Sequence, residues 1–167
     1  MPQTFESHPF APVYDAQCRV LVLGTFPSVK SRENAFYYGH PQNRFWRVMS
    51  FAFDEELPAD TEAKKALLLR HHIALWDVIS GCSITGSADS SIRGAVPNDL
   101  GVILSACPIS KILLNGKTAE KIYLRYWKAL PVPYAALPST SPANAAWSVQ
   151  RLTEVWQATL REGTEKR

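Results

Sequence analysis

The fold is decided by Leu21–Met49, LVLGTFPSVKSRENAFYYGHPQNRFWRVM. The aliphatic run over Arg19–Leu23 predicts a short buried strand that ends at Gly24. A long, aromatic-rich loop over Gly24–Gly39 follows. Pro41 then predicts the start of a helix, because proline lacks the N–H group that would go unpaired there. A strand, a long loop and a helix N-terminus in this order are typical of the ligand site of an open α/β sheet.

The composition is that of an ordinary globular protein. Of 167 residues, 46% are hydrophobic and 20% are charged, which predicts one domain over residues 1–167. No stretch has the roughly 20 apolar residues of a membrane span, and the N-terminus lacks the pattern of a signal peptide. We therefore expect a cytoplasmic monomer with no membrane contact. The net charge of +3 permits nucleic acid as a partner but does not demand it.

The three cysteines do not form a recognisable site. Cys18, Cys82 and Cys107 are scattered along the chain. They match no disulfide framework and no zinc spacing, and they are too few for a four-cysteine iron–sulfur cluster. We expect no metal, no iron–sulfur cluster and no other cofactor.

Hydrophobic periodicity and breaker residues divide the rest of the chain into alternating strands and helices. After the first helix we predict a helix over Thr61–Arg70 capped by Asp60, an extended run Ile73–Ile79 and a loop Ser80–Asn98. A short helix to Ala106, a strand Lys111–Leu114, a helix over Ala119–Trp127 and a strand Val132–Leu137 follow. The last predicted helix has Ser141 as N-cap and Pro142 at its first position. The residues before Cys18 are expected to wrap the surface. This alternation predicts a mostly parallel sheet with helices on both faces.

Three loops are expected to open at the same edge of this sheet. They are Gly24–Gly39, the turn at Asn115, and Pro138–Pro142. None carries a phosphate-binding glycine loop, a dinucleotide fingerprint, a nucleophile elbow or a metal-binding histidine pair. They offer amides, hydroxyls, aromatic rings and backbone N–H groups, which recognise and orient a ligand without supplying a strong nucleophile.

The blocks Gly24–Ser28, Phe36–Trp46 and Leu137–Asn144 (GTFPS, FYYGHPQNRFW and LPSTSPAN) resemble the uracil-DNA glycosylase superfamily. The similarity covers about residues 19–160 and is closest to the hypoxanthine (deoxyinosine) DNA glycosylase branch. The resemblance implies a three-layer α/β/α domain with a central, mostly parallel four-stranded sheet. It also implies a monofunctional enzyme of base excision repair that flips deaminated bases out of DNA and hydrolyses the N-glycosidic bond.

The base would be bound by an amide and aromatic rings. The NH2 group of Asn115 would donate to a ring carbonyl, and its C=O would accept from the adjacent ring N–H. Hypoxanthine and uracil both present that pair, whereas adenine and cytosine present the reverse. The remaining expected base contacts are Gly24, Phe36, Tyr37, Tyr38 and His40.

The catalytic prediction departs from the usual superfamily pattern. Several members place Asp or Asn directly after the first strand, but Gly24–Ser28 contains neither. The resemblance to the hypoxanthine branch assigns Asn43 instead, to orient water or to stabilise the transition state. Backbone N–H groups near Thr25 and Phe26 are expected to help hold the leaving base anion.

The last loop and nearby basic residues are expected to hold the DNA backbone. Hydroxyl and N–H groups before a helix N-terminus form a phosphate site. The predicted DNA contacts are Ser139, Thr140, Ser141, Pro142, Asn144, Lys30, Arg44 and Lys117, with Arg32 and Arg47 close by.

Several alternatives remain open at this point. Asn43 could only cap its helix, Asn115 could only shape a turn, and Asp77 could either satisfy loop N–H groups or act as a pocket carboxylate. For the whole chain, the alternatives are a uracil or mismatch-uracil DNA glycosylase, a non-catalytic binder of damaged DNA and a nucleoside-binding protein.

Overall fold

The computed structural model describes residues 3–164. Its strands are β1 Thr4–Ser7, β2 Val20–Gly24, β3 Ile73–Asp77, β4 Ile79–Ile84, β5 Arg93–Pro97, β6 Lys111–Asn115 and β7 Tyr134–Leu137. Its helices are α1 Val29–Asn34, α2 Phe45–Ala52, α3 Thr61–Arg70, α4 Gly101–Leu104, α5 Lys117–Trp127 and α6 Val149–Thr164, with a short 3-10 turn at Asp89–Ser91.

The centre of the molecule is a four-stranded parallel sheet in the order β3-β2-β6-β7. Every residue of β2 and β3 is buried, as expected for strands covered on both faces. Helices flank the sheet, and α2 packs against α6. The predicted α/β fold with a mostly parallel four-stranded sheet is confirmed. Because the strands are parallel, Gly24, Asp77 and Asn115 lie at the same edge.

A second, antiparallel sheet was not predicted. It has the order β1-β4-β5, and it includes most of the stretch Ser80–Asn98 that we expected to be a loop. The expected surface segment before Cys18 contributes β1. The error has a physical cause. β4 contains two serines and a glycine, β5 contains a glycine and a proline and is exposed or half-exposed at every position, and neither strand is a continuous apolar run. Their pairing depends on long-range partners that local sequence does not show.

Two predicted helix starts were also wrong. Residues 40–44 form a turn, in which the N–H of Gln42 donates to His40 Nδ1, and α2 begins only at Phe45. Pro142 does not begin a helix either. Residues 141–148 form consecutive turns, and α6 begins at Val149, with Ser148 Oγ accepting the Arg151 N–H at 3.1 Å. The predicted helix Thr61–Arg70 and its Asp60 cap are confirmed.

Candidate active site

An amide at the end of β6 forms the centre of the site. Asn115 is 8% exposed, and its Nδ2 donates to the Tyr38 hydroxyl and to Thr140 Oγ1, each at 3.1 Å. Its Oδ1 accepts the backbone N–H of Thr140, also at 3.1 Å. Both N–H groups of the amide are therefore used by the protein, and one lone pair of Oδ1 remains.

Asn43 belongs to the same hydrogen-bond network. The Thr140 hydroxyl, which is fully buried, donates to Asn43 Oδ1 at 3.0 Å. Asn43 Oδ1 also accepts the backbone N–H of Phe45 at 2.9 Å, so the residue does cap the start of α2. Asn43 therefore caps the helix, as the alternative proposed, and the same oxygen also binds the loop that follows β7. The structure brings Asn43 and Asn115 together through one threonine.

Gly24 allows the close packing at this edge of the sheet. A Cβ atom at Gly24 would lie 2.5 Å from Asp77 Oδ1 and 2.6 Å from the Tyr38 hydroxyl. Both contacts are shorter than real Cβ atoms tolerate, so only glycine fits here without movement. Tyr38 is half-buried, has a left-handed backbone (φ +54°) and stacks on Phe45 with ring centroids 4.2 Å apart. Burial and the nearby Asp77 raise the pKa of the Tyr38 phenol, so the hydroxyl stays protonated near neutral pH.

Asp77 forms a buried hydrogen bond with a histidine that the sequence did not indicate. His8 Nε2 lies 2.8 Å from Asp77 Oδ2, and both side chains are almost wholly buried. His8 directly follows β1, so the antiparallel sheet positions the histidine beside Asp77 at the end of β3. Asp77 is therefore committed to a neighbouring side chain and does not serve only loop N–H groups. No sequence signal connects positions 8 and 77, which are 69 residues apart.

A second carboxyl lies nearby on the turn Asp89–Ser91. Asp89 is an exposed residue whose carboxyl lies beside Thr25. Loss of water around this carboxyl, with a smaller contribution from the charge of Asp77, raises its pKa to about 6. A hydrogen bond with Thr25 acts in the opposite direction.

The half-buried Arg44 binds the loop after β7. Its guanidinium donates to the carbonyl oxygens of Ser141 (2.7 Å), Asn144 (3.0 Å), Thr140 (3.4 Å) and Trp147. Its backbone N–H donates to the Thr140 carbonyl as well. Loss of hydration and the neighbouring Arg47 lower the pKa of Arg44. This geometry leaves at most one guanidinium N–H for a phosphate.

The three aromatic residues expected to stack on the base differ in position. Phe36 and Tyr37 are 6% and 2% exposed. Phe36 stacks on Trp46, and the Tyr37 hydroxyl donates to the Ala11 carbonyl. Of the three, Tyr38 is the one that lies beside Asn115. Phe26 and Thr25 are buried directly after Gly24, and His40 is half-buried.

Thr140 is buried, and the remaining predicted DNA contacts lie on exposed or half-exposed surface. Ser139 and Ser141 accept local N–H groups at 3.1 Å, and Asn144 Nδ2 donates to the Ser139 carbonyl at 2.9 Å. These bonds shape the loop and leave its hydroxyl protons available. Pro142 and Lys117 are exposed, while Lys30 is paired with Glu33 at 3.8 Å on the surface.

Within residues 3–164, no group of three or more His, Cys, Asp or Glu side chains could hold a metal ion. In the same part of the chain, no helix is long and apolar enough to cross a membrane. Cys18, Cys82 and Cys107 are buried free thiols.

A family profile described as "Uracil DNA glycosylase superfamily" matches residues 11–160. The chain belongs to this superfamily. A solved neighbour, a solution NMR structure of a provisionally named uracil DNA glycosylase from Methanosarcina acetivorans, superposes with a TM-score of 0.83 at 32% identity. The alignment covers 97% of this chain and 100% of the neighbour.

Two relatives point to one branch of the superfamily. A protein of Methanosarcina acetivorans named hypoxanthine DNA glycosylase is 36% identical over 154 residues, covering 91% of this chain and 96% of the relative. A protein of Methanosarcina barkeri with the same name is 32% identical over 137 residues, covering 81% of this chain and 86% of the relative.

Proposed function

We propose that this chain is a DNA glycosylase that releases hypoxanthine from deoxyinosine in DNA, the first step of base excision repair. The two relatives named hypoxanthine DNA glycosylase support the substrate. The observation that carries the proposal is the network Asn43–Thr140–Asn115, which joins the two amides at the carboxyl edge of the parallel sheet. A ligand site at this edge is what the fold class favours.

Asn115 reads the pairing edge of the flipped base in this proposal. A ring carbonyl that receives the amide N–H takes the place that the Tyr38 hydroxyl has in the structure, 3.1 Å from Nδ2. The free lone pair of Oδ1 accepts the ring N–H. Adenine presents an amino group and an unprotonated ring nitrogen instead, so donors would face donors and the base would be rejected. Because uracil carries the same edge as hypoxanthine, the shape of the site has to separate the two.

Catalysis in this proposal relies on electrostatics and positioning. Water oxygen bonds to C1′ of the sugar while the C1′–N9 bond breaks, the bonding electrons leave with the base, and the water proton ends on the departing base. An amide cannot abstract a proton near neutral pH, so Asn43 acts by hydrogen bonding near the reacting atoms. Backbone N–H groups at Thr25 and Phe26 add to the stabilisation of the leaving anion.

The DNA backbone is held by residues 139–144 and by exposed lysines. The hydroxyl protons of Ser139 and Ser141 are available for phosphate oxygens, and Lys30 and Lys117 add positive charge. Binding is then expected to weaken as salt rises. We further propose that the enzyme acts as a single-domain monomer in the cytoplasm.

Base release from defined duplexes tests the proposal. Duplexes carrying one deoxyinosine, deoxyuridine, deoxyxanthosine or mismatched thymidine are incubated with excess protein, and the free base is separated and identified. We expect hypoxanthine to be released fastest, with an intact strand until alkali cleaves the abasic site. Uracil released faster than hypoxanthine would assign the uracil activity instead. DNA binding without release of any base would leave a non-catalytic binder.

A further inference from the structure

We propose that Thr140 is a positioning residue that, together with the backbone N–H of Phe45, holds the Asn43 amide so that its NH2 group, and not its carbonyl, faces the reacting atoms. Asn43 then acts as a hydrogen-bond donor to the departing base and not as an acceptor that orients water. This inference rests on the proposed glycosylase function and specifies the role of one residue in it.

Two backbone N–H groups determine the direction of every hydrogen bond in the network. The N–H of Phe45 can only pair with an oxygen, so the Asn43 atom 2.9 Å away is Oδ1. The N–H of Thr140 likewise identifies Asn115 Oδ1 at 3.1 Å. The other Asn115 atom is therefore Nδ2, which must donate to Thr140 Oγ1.

The single hydroxyl proton of Thr140 completes the chain. Thr140 Oγ1 accepts from Asn115 Nδ2, and its own proton points to Asn43 Oδ1 at 3.0 Å. If the Asn43 amide were rotated by 180°, its NH2 group would face the Phe45 N–H, and donor would meet donor. Thr140 is fully buried, so no water can replace its hydroxyl without a rearrangement of the loop.

The side-chain oxygen of Asn43 thus accepts two hydrogen bonds, while its NH2 group is free to donate to a ligand. Within residues 3–164, Nδ2 of Asn43 donates to no protein atom, and it is not among the side-chain atoms that are buried without a partner. Two N–H groups therefore point away from the network. A donor stabilises the negative charge that develops on the leaving base. The same donor would bind a lone pair of the attacking water and would make that water less nucleophilic.

Aspartate and alanine at position 43 separate the two roles. In Asn43→Asp the carboxylate still accepts from Phe45 N–H and from Thr140, so the local fold is kept, but it cannot donate and its charge repels an anion. We expect Asn43→Asp to lose roughly 10²–10³-fold in the single-turnover rate of hypoxanthine release, as Asn43→Ala does. If Asn43→Asp releases hypoxanthine within about tenfold of the wild-type rate while Asn43→Ala does not, Asn43 orients water as an acceptor and the inference is overturned.

Valine and serine at position 140 test the positioning role. Thr140→Val keeps the shape but removes the hydroxyl, and we expect the single-turnover rate to fall about tenfold to hundredfold with DNA affinity almost unchanged. Thr140→Ser restores the hydroxyl and should restore most of the rate. Lost affinity with an unchanged rate would make Thr140 a phosphate contact and would overturn the inference. Failure of the proposed function is a separate result, because it would show as no hypoxanthine release by the wild-type protein.

Discussion

Removal of the Arg44 guanidinium should release the loop after β7. Its four hydrogen bonds to carbonyl oxygens bind residues 140–147 to the start of α2. A hydrogen bond to a charged group contributes about 1.5–3 kcal/mol when it is well formed. The carbonyls can regain water in the variant, so we expect Arg44→Met to lose about 2–4 kcal/mol of unfolding free energy in total. For a chain of this size, that corresponds to a melting temperature roughly 5–15 °C lower.

Thermal denaturation followed by circular dichroism measures this loss. Arg47→Met is the matched control, because Arg47 lies one turn along α2 and makes none of these contacts with the loop. The salt dependence of DNA binding then shows whether Arg44 holds the loop after β7 in place or contacts a DNA phosphate. A lost phosphate contact lowers the slope of log K against log salt by about 1, whereas a loosened loop weakens binding with the slope unchanged. An unchanged melting temperature combined with the lower slope would refute our interpretation of Arg44.

Two further substitutions test the packing and the charge at the sheet edge. Gly24→Ala places a Cβ 2.5 Å from Asp77 Oδ1 and 2.6 Å from the Tyr38 hydroxyl, so the side chains around Asn115 must shift. We expect base release to fall and stability to drop by about 1–3 kcal/mol. Unchanged excision kinetics would contradict this. Asp89→Asn removes a carboxyl whose pKa is raised to about 6. Such a group stabilises the fold below its unfolded pKa, and that stabilisation is lost as pH rises through about 6. The variant should therefore gain in melting temperature relative to wild type between pH 4 and pH 7, and a pH-independent difference would argue against the shift.

The parallel sheet could be predicted from sequence because β2, β3 and most of β6 are buried on both faces. Val20–Gly24 and Lys111–Asn115 read as short aliphatic runs that end in glycine or asparagine, and such a signal is local. The strands β4 and β5 carry no such signal. The glycine and serine residues of β4 and the glycine and proline of β5 are typical of loops. These strands form a sheet by pairing with each other and through the pairing of β4 with the distant β1.

The sequence indicated which loops meet at the candidate site but not how their side chains are connected. The sequence placed Asn43, Asn115 and the loop after β7 at one edge, and the structure joins them through Thr140. The roles of Arg44 and His8 could not be read from the sequence. Arginine next to a proposed DNA site is usually taken as a phosphate contact, and its carbonyl partners about 100 residues away are set by the tertiary fold alone.

Single-turnover excision by the Asn43→Ala variant tests the central claim most directly. Free hypoxanthine is measured from a duplex with one deoxyinosine, and the dissociation constant of the same duplex is measured alongside. We expect the variant to lose roughly 10²–10³-fold in rate while it binds DNA almost as tightly as wild type. A variant that still releases hypoxanthine at the wild-type rate would contradict catalysis by paired amides.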